Sequence, residues 1–317
     1  WVYYKGSRTL RPGDVALTPG PMSMEMQSMP KKIPYHRKRL GQVFLRDALV
    51  VEQILQSVAL APDDTVLEIG PGRGILTTTL ARRTHALYAI EVDTHYVHSL
   101  QQYFASAPHV HIIEADARFY DYGLLPQPLV VVANLPYSMG MAILQRLLTF
   151  RQRLSRLVIM LQQEVAARLL ALPNSSAYGA LSVFFQYYAE ITHNLDVSRH
   201  AFTPVPAVDS SVMTLRPFPV VPWPECDERW LFRLVRIAFA HRRKTLRANL
   251  LAAFPHTLTR TALADVFADL ALKEHARAQE LSIPQFVQLA QALESVRDVE
   301  GDKAAHGMTF PDTELSP

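Results

Sequence analysis

Val66-Leu-Glu-Ile-Gly-Pro-Gly-Arg-Gly74 is the stretch whose reading decides the fold. An apolar strand runs straight into Gly70-x-Gly72-x-Gly74, and Ile75–Arg82 follows with helical spacing. Glycines let the backbone turn tightly and approach a ligand closely. The spacing is G-x-G-x-G and not the dinucleotide G-x-G-x-x-G, so it calls for no pyrophosphate. Alone, it also describes a plain β–turn–α corner. On either side, short apolar runs at Thr65–Ile69, Ala86–Ile90, His109–Glu114, Leu129–Ala133 and Leu157–Leu161 alternate with helical segments. That alternation predicts an α/β fold with a parallel sheet covered by helices on both faces. Asp47 is placed to cap a helix in which Val50, Ile54 and Val58 share one face, with Val51 and Leu55 beside it. Ser182–Ile191 and Ser210–Leu215, rich in aromatic, β-branched and serine residues, are expected to add a hairpin-like edge.

Pro217, Pro219, Pro222 and Pro224 crowd a linker, since proline breaks both helix and strand. Beyond it the pattern to residue 297 is helical. Trp230–Ala240 is amphipathic, Leu246–Phe254 continues after a basic cluster, and Ser282 with Gln285 has capping-box spacing. The expected division is a disordered extension over 1–37, an α/β domain over 38–217, a small all-helical C-terminal domain over 218–297 and a flexible tail over 298–317.

The chain has 317 residues, 49% apolar and 19% charged, enough to bury a core and unlike a disordered chain. No apolar run approaches the roughly 20 residues of a membrane span. The single cysteine, Cys226, excludes an internal disulfide and a cysteine metal cluster. No metal is expected, and a reducing, cytoplasmic setting is. The net charge is only +3. Its distribution is more telling: Lys31, Lys32, His36, Arg37, Lys38 and Arg39 form one cationic run, and His241, Arg242, Arg243, Lys244 and Arg247 another. Such runs are usually solvated faces, but two of them in a chain of modest net charge favour a polyanion partner.

The second apolar run ends in Glu91, with Asp93 close behind. An acid there is placed to grip the two hydroxyls of a ribose; without the glycine loop it would read as a surface acid. The third run ends in Ala115-Asp-Ala117, and Asp116 can accept a hydrogen bond from an adenine amino group at the carboxyl edge of the sheet. Asn134-Leu-Pro-Tyr137 closes the fourth run. The N6 amine of adenine is a poor nucleophile because its lone pair is delocalised into the ring. The Asn134 amide oxygen and the Leu135 carbonyl are acceptors suited to pulling on its protons and localising that lone pair. Pro136 stiffens the turn, and Tyr137 offers a ring for an extruded base. The bland alternative is a strand-end turn with a buried tyrosine.

Together these residues resemble the ribosomal RNA small-subunit adenine N6,N6-dimethyltransferase family. Gly41-Gln-Val-Phe-Leu45, Gln162-Gln-Glu-Val-Ala-Ala-Arg168, Tyr178-Gly-Ala-Leu-Ser182, Ala201-Phe-Thr-Pro-Val-Pro-Ala-Val-Asp-Ser210 and Ala238-Phe-Ala-His-Arg-Arg-Lys-Thr-Leu-Arg247 follow in family order, from about Arg39 to Leu293. The resemblance implies a class I, Rossmann-like methyltransferase sheet over 38–217 that binds S-adenosylmethionine, and a helical RNA-binding domain over 218–297. It implies dimethylation of two adjacent adenosines near the 3′ end of small-subunit rRNA, within a pre-ribosomal particle, by a protein that is monomeric when free and has no membrane partner. Carried over by position, the cofactor contacts are Val43, Leu45, Gly70, Gly72, Glu91, Asp116, Ala117 and Asn134. The catalytic pocket is Asn134, Leu135, Pro136, Tyr137 and Phe202. RNA contacts are expected from Arg37, Lys38, Arg39, Arg242, Arg243, Lys244 and Arg247. The chain departs from the family pattern at Val43, Ser138 and Ala207, where Asn, Asn and Lys are common; none of these touches Asn134 or Tyr137. A large-subunit rRNA adenine methylase and a non-catalytic assembly protein on the same fold are the alternatives. The basic block at 241–247 speaks against the first, and intact Glu91 and Asn134–Tyr137 against the second.

Overall fold

The computed structural model describes residues 43–136 and 138–300. The expected extension over 1–37, the basic residues Arg37, Lys38 and Arg39, Tyr137 and residues 301–317 lie outside the described residues. The first part of the chain runs β1 (Phe44–Leu45), α1 (Ala48–Val58), β2 (Thr65–Ile69), α2 (Ile75–Leu80), β3 (Ala86–Glu91), α3 (Thr94–Tyr103), β4 (Val110–Glu114), β5 (Leu129–Asn134), α4 (Gly140–Leu148) and β6 (Leu154–Gln162). Then come α5 (Gln163–Leu170), α6 (Ala180–Tyr188), β7 (Ala189–Val197), β8 (Phe202–Thr203) and β9 (Ser210–Pro217). Helices α7 (Glu228–Phe239), α8 (Leu246–Ala253), α9 (Arg260–Asp269), α10 (Ile283–Ala292) and α11 (Glu294–Glu300) complete it.

Seven strands form one sheet in the order β4-β3-β2-β5-β6-β9-β7. The first five are parallel neighbours, whereas β9 runs antiparallel to both β6 and β7. The central strands β2 and β5 are buried along almost their whole length, which is why they read as unbroken apolar runs. At the β7 edge Glu190, Thr192, His193, Asn194 and Asp196 are exposed, and polar side chains of this kind blunt an open edge.

Two apolar clusters pack against the sheet. One contains Val51, Ile54, Leu55 and Val58 of α1, Leu80 of α2 and Leu100 of α3, with Val66, Val130 and Val132. Asp47 caps α1 as expected, accepting the Leu49 N–H at 2.9 Å. The other runs from Leu67, Val131 and Ala133 through α4 and α6 into α7, α8 and α10. Polar ties reinforce it: Trp230 Nε1 donates to the Ala290 carbonyl at 2.9 Å, and the Tyr178 hydroxyl to that of Leu281 at 3.0 Å. Gln285 accepts the Ser282 N–H at 2.9 Å, closing the expected capping box of α10. Among the described residues no helix is long and apolar enough to cross a membrane.

The stretch Ser182–Ile191, expected as strand, is helical as far as Tyr188; only from Ala189 does it enter the sheet. Its β-prone aromatics are overruled by burial. Val183, Phe184, Phe185, Tyr187 and Tyr188 are all buried, and Phe184 meets Phe232 of α7 with ring centroids 4.9 Å apart. A segment buried on nearly every side loses the period that separates helix from strand. The expected edge pairing nevertheless forms, between β7 and β9.

Candidate active site

The loop after β2 turns on three glycines with φ of +70° (Gly70), +53° (Gly72) and +80° (Gly74). At Gly72 the reason is spatial as well as torsional. A Cβ there would lie 3.1 Å from the Phe44 ring, so β1 can close over the loop only because no side chain intervenes. Glu91, at the end of β3, fastens the loop: its Oε2 accepts the Gly72 N–H at 3.0 Å, and its Oε1 those of Val92 and Asp93, both at 2.9 Å. Glu91 is buried, and that burial raises its pKa against the opposing pull of these three N–H groups.

One cavity opens at the carboxyl ends of β2, β3, β4 and β5. Val43, Leu45, Gly70, Gly72, Glu91, Asp116, Ala117 and Asn134 all line it, so the structure brings every expected cofactor contact to one place. Leu135 and Pro136 line it too. Asn134 is half-buried at the strand end, and its side chain makes no hydrogen bond to another described residue. The turn beyond it is held by its backbone: Leu135 donates to the Met160 carbonyl at 3.2 Å, and the Pro136 carbonyl accepts from Gly140 at 2.8 Å. Asp116 is ion-paired with Arg118 at 2.6 Å, and that hydrogen-bonded guanidinium holds its carboxyl below the usual range.

Two expected pocket residues are not placed with the rest. Tyr137 lies outside the described residues. Phe202 is buried in the α1-side core and does not line the cavity. Its strand, β8, pairs with β1, setting Leu45 opposite Phe202 and Phe44 opposite Thr203.

Sequence reading passed over Phe44, Glu68, Arg73 and Arg118. The Arg73 guanidinium lies 4.5 Å from the Phe44 ring centroid, and Phe44 meets Tyr96 edge-on at 5.5 Å. Glu68 stands inside the very stretch that decides the fold, on β2, and lines the cavity. It is 1% exposed, and its Oε2 has no hydrogen-bond partner among the described residues. Burial, with the nearby Glu91 charge, raises its pKa to about 8. A raised pKa contributes stability that is fully present below the ordinary carboxyl value and is lost as pH climbs to about 8. The contribution of this proton to stability is therefore expected to fall between about pH 4.5 and 8, by at most about 1.4 kcal/mol per pH unit. Glu68→Gln should remove that contribution; denaturant titrations showing equal slopes for the two proteins would contradict it.

The basic block divides in two. Arg242 donates to the carbonyls of Ser176 at 2.7 Å and Tyr178 at 3.2 Å, and Arg247 pairs with Glu274 at 2.9 Å. These two brace the fold. Arg243 and Lys244 are exposed, and among the described residues neither side chain has an ion-pair or hydrogen-bond partner.

Counted from β2, the strand order is 3-2-1-4-5-7-6 with strand 7 reversed. With a glycine loop and an acid at the ends of the first two strands, it defines a class I methyltransferase fold. The family profile described as "Ribosomal RNA adenine dimethylase" matches residues 34–294. The chain belongs to the ribosomal RNA adenine dimethylase family. It is 39% identical over 266 residues to "Ribosomal RNA small subunit methyltransferase A" of Shewanella frigidimarina, covering 83% of this chain and 96% of that one. Its fold matches a dimethyladenosine transferase from Plasmodium falciparum with TM-score 0.69 at 24% identity, covering 80% and 98% of the two chains. It also matches the 23S rRNA methyltransferase ErmE with TM-score 0.60 at 26% identity, covering 79% and 99%.

Proposed function

We propose that this protein transfers methyl groups from S-adenosylmethionine to the N6 amines of two adjacent adenosines near the 3′ end of small-subunit rRNA, within a pre-ribosomal particle in the cytoplasm. The observation that supports it most is the convergence on one cavity of the Gly70–Gly74 loop, Glu91, Asp116 and the Asn134-Leu135-Pro136 turn. The chain's similarity to small-subunit methyltransferases along most of its length favours the small subunit over the large one.

The donor set fits this cofactor. Glu91 retains acceptor capacity for ribose hydroxyls beyond its three backbone bonds, and Asp116 stands one strand further along for an adenine amine. The loop backbone, Val43, Leu45 and Ala117 enclose the rest. When bound, S-adenosylmethionine supplies a strongly electrophilic sulfonium methyl. The protein is left to place the nitrogen in line and free its lone pair. The Asn134 amide oxygen and the Leu135 carbonyl accept hydrogen bonds from the two N6–H groups, while Pro136 keeps their spacing fixed. Tyr137 stacks on the extruded base, returning roughly 1–3 kcal/mol of an extrusion cost of a few kcal/mol. The nitrogen gives up one proton to solvent with each methyl it gains, so after the first it keeps one N–H and can re-enter the same pocket, and dimethylation needs no second site. Segment 218–297 serves as the RNA-binding domain, with Arg243 and Lys244 on phosphates.

The test is methyl transfer to small ribosomal subunits lacking the modification, with the product mapped by mass spectrometry. Dimethyladenosine at two adjacent positions is expected. Transfer only to large-subunit RNA, or none at all, would overturn the reading.

A further inference from the structure

Helix α7 carries a row of cations well away from the cavity residues in sequence. Arg229, Arg233 and Arg236 recur at i, i+4 and i+7, the spacing of one helix face. The opposite face, with Trp230, Leu231, Leu234, Val235 and Ala238, is buried in the core. Arg229 and Arg236 are exposed, and among the described residues neither side chain makes a hydrogen bond or ion pair. Arg233 lies along the rings of Trp230 and Phe254, at 5.8 and 5.7 Å from their centroids.

An ordinary solvated helix face mixes both signs and gains i,i+4 pairs. This one does not. Glu228 is the only acid within α7. It stands about a quarter-turn off the row, accepts from the Tyr188 hydroxyl at 2.6 Å and faces Arg151 at 3.6 Å. The helix rise sets Arg229 and Arg236 about 10 Å apart along the axis. A nucleic-acid strand carries a phosphate about every 3.4 Å of its axis, so the two span about three phosphates.

We propose that the outer face of α7, through Arg229 and Arg236, is a docking track for the phosphate backbone of small-subunit RNA, distinct from the pocket for the target adenines. The proposal rests on the reading of the chain as a small-subunit rRNA methyltransferase. The track positions the particle without reading its sequence, because phosphate contacts fix register and carry no base information.

The test compares wild type, Arg229→Gln/Arg236→Gln and Arg229→Lys/Arg236→Lys for binding to small ribosomal subunits lacking the modification, across a salt series. Each phosphate contact contributes about 0.7–0.9 to the slope of log affinity against log salt. The glutamine pair should therefore flatten the slope by about 1.4–1.8, the lysine pair should restore it, and the transfer rate at saturating subunits should stay at the wild-type value. A wild-type slope in the glutamine pair overturns the proposal, as does a loss that lysine does not restore, which would indicate a protein contact. If the wild type binds these subunits with its full slope but transfers no methyl group, the reading of the site falls instead.

Discussion

In single-turnover methyl transfer at saturating cofactor, Asn134→Ala is expected to be slower than wild type by about two to three orders of magnitude, with RNA affinity nearly intact. That is the scale observed when one preorganised hydrogen-bonding group is removed from an active site. The expectation follows from where Asn134 stands. It is the last residue of β5, whose preceding five residues are fully buried between β2 and β6, so its backbone is held on both sides. Its side chain reaches the cavity without a hydrogen bond to another described residue, leaving the amide oxygen open to the N6 protons. Truncation removes that acceptor without opening the core. Phe202 calls for a different substitution. Its ring is fully buried, so Phe202→Ala would cost about 3–5 kcal/mol of stability and blur any effect on the base. Phe202→Leu keeps most of the volume and removes the aromatic face. A stacking role would show as weaker capture of the RNA base by this variant, whereas action through β1 alone would leave base capture unchanged. A wild-type rate for Asn134→Ala would end the activation proposal.

The sequence was most legible where one physical constraint acts alone. Val130, Val131 and Val132 could belong only to a strand covered on both faces, and they lie in the centre of the sheet. The glycine loop was legible because three positive φ angles in one turn strongly favour glycine. Ser182–Tyr188 was misread because burial on almost all sides erased its period. Charge was the least legible feature. Counted as charges, Arg242 and Arg247 resemble Arg243 and Lys244; only the fold shows that the first two are spent on Ser176, Tyr178 and Glu274. The row on α7 was hidden for the converse reason, since its arginines are dispersed in sequence and gather only on the helix surface. Phe202 came to the pocket through the family resemblance, and nothing in its local sequence could have placed its ring in the core instead.

Glu91 is the residue whose reading the structure changes most, and its variants should separate two duties. The carboxylate grips the Gly72, Val92 and Asp93 N–H groups before any ligand arrives. Glu91→Ala leaves all three donors without this acceptor, and hydrogen bonds to a charged group contribute about 1.5–3 kcal/mol each. The free protein should therefore lose stability by several kcal/mol, and cofactor affinity should fall with it, so that variant cannot assign a ribose contact. Glu91→Gln is more informative. Its amide oxygen can keep the Val92 and Asp93 bonds and only the Gly72 bond is lost, while removing a buried charge whose pKa burial already raises offsets part of that loss. The free protein should then lose distinctly less stability than Glu91→Ala does. The ribose duty is read by calorimetry with S-adenosylhomocysteine and an analogue lacking the ribose hydroxyls. In the wild type, deleting the hydroxyls should weaken binding by about 1–3 kcal/mol, because the partner is a carboxylate. In Glu91→Gln the same deletion should cost distinctly less. An equal loss in both proteins would show that Glu91 is a clip for the glycine loop and takes no part in holding the ribose.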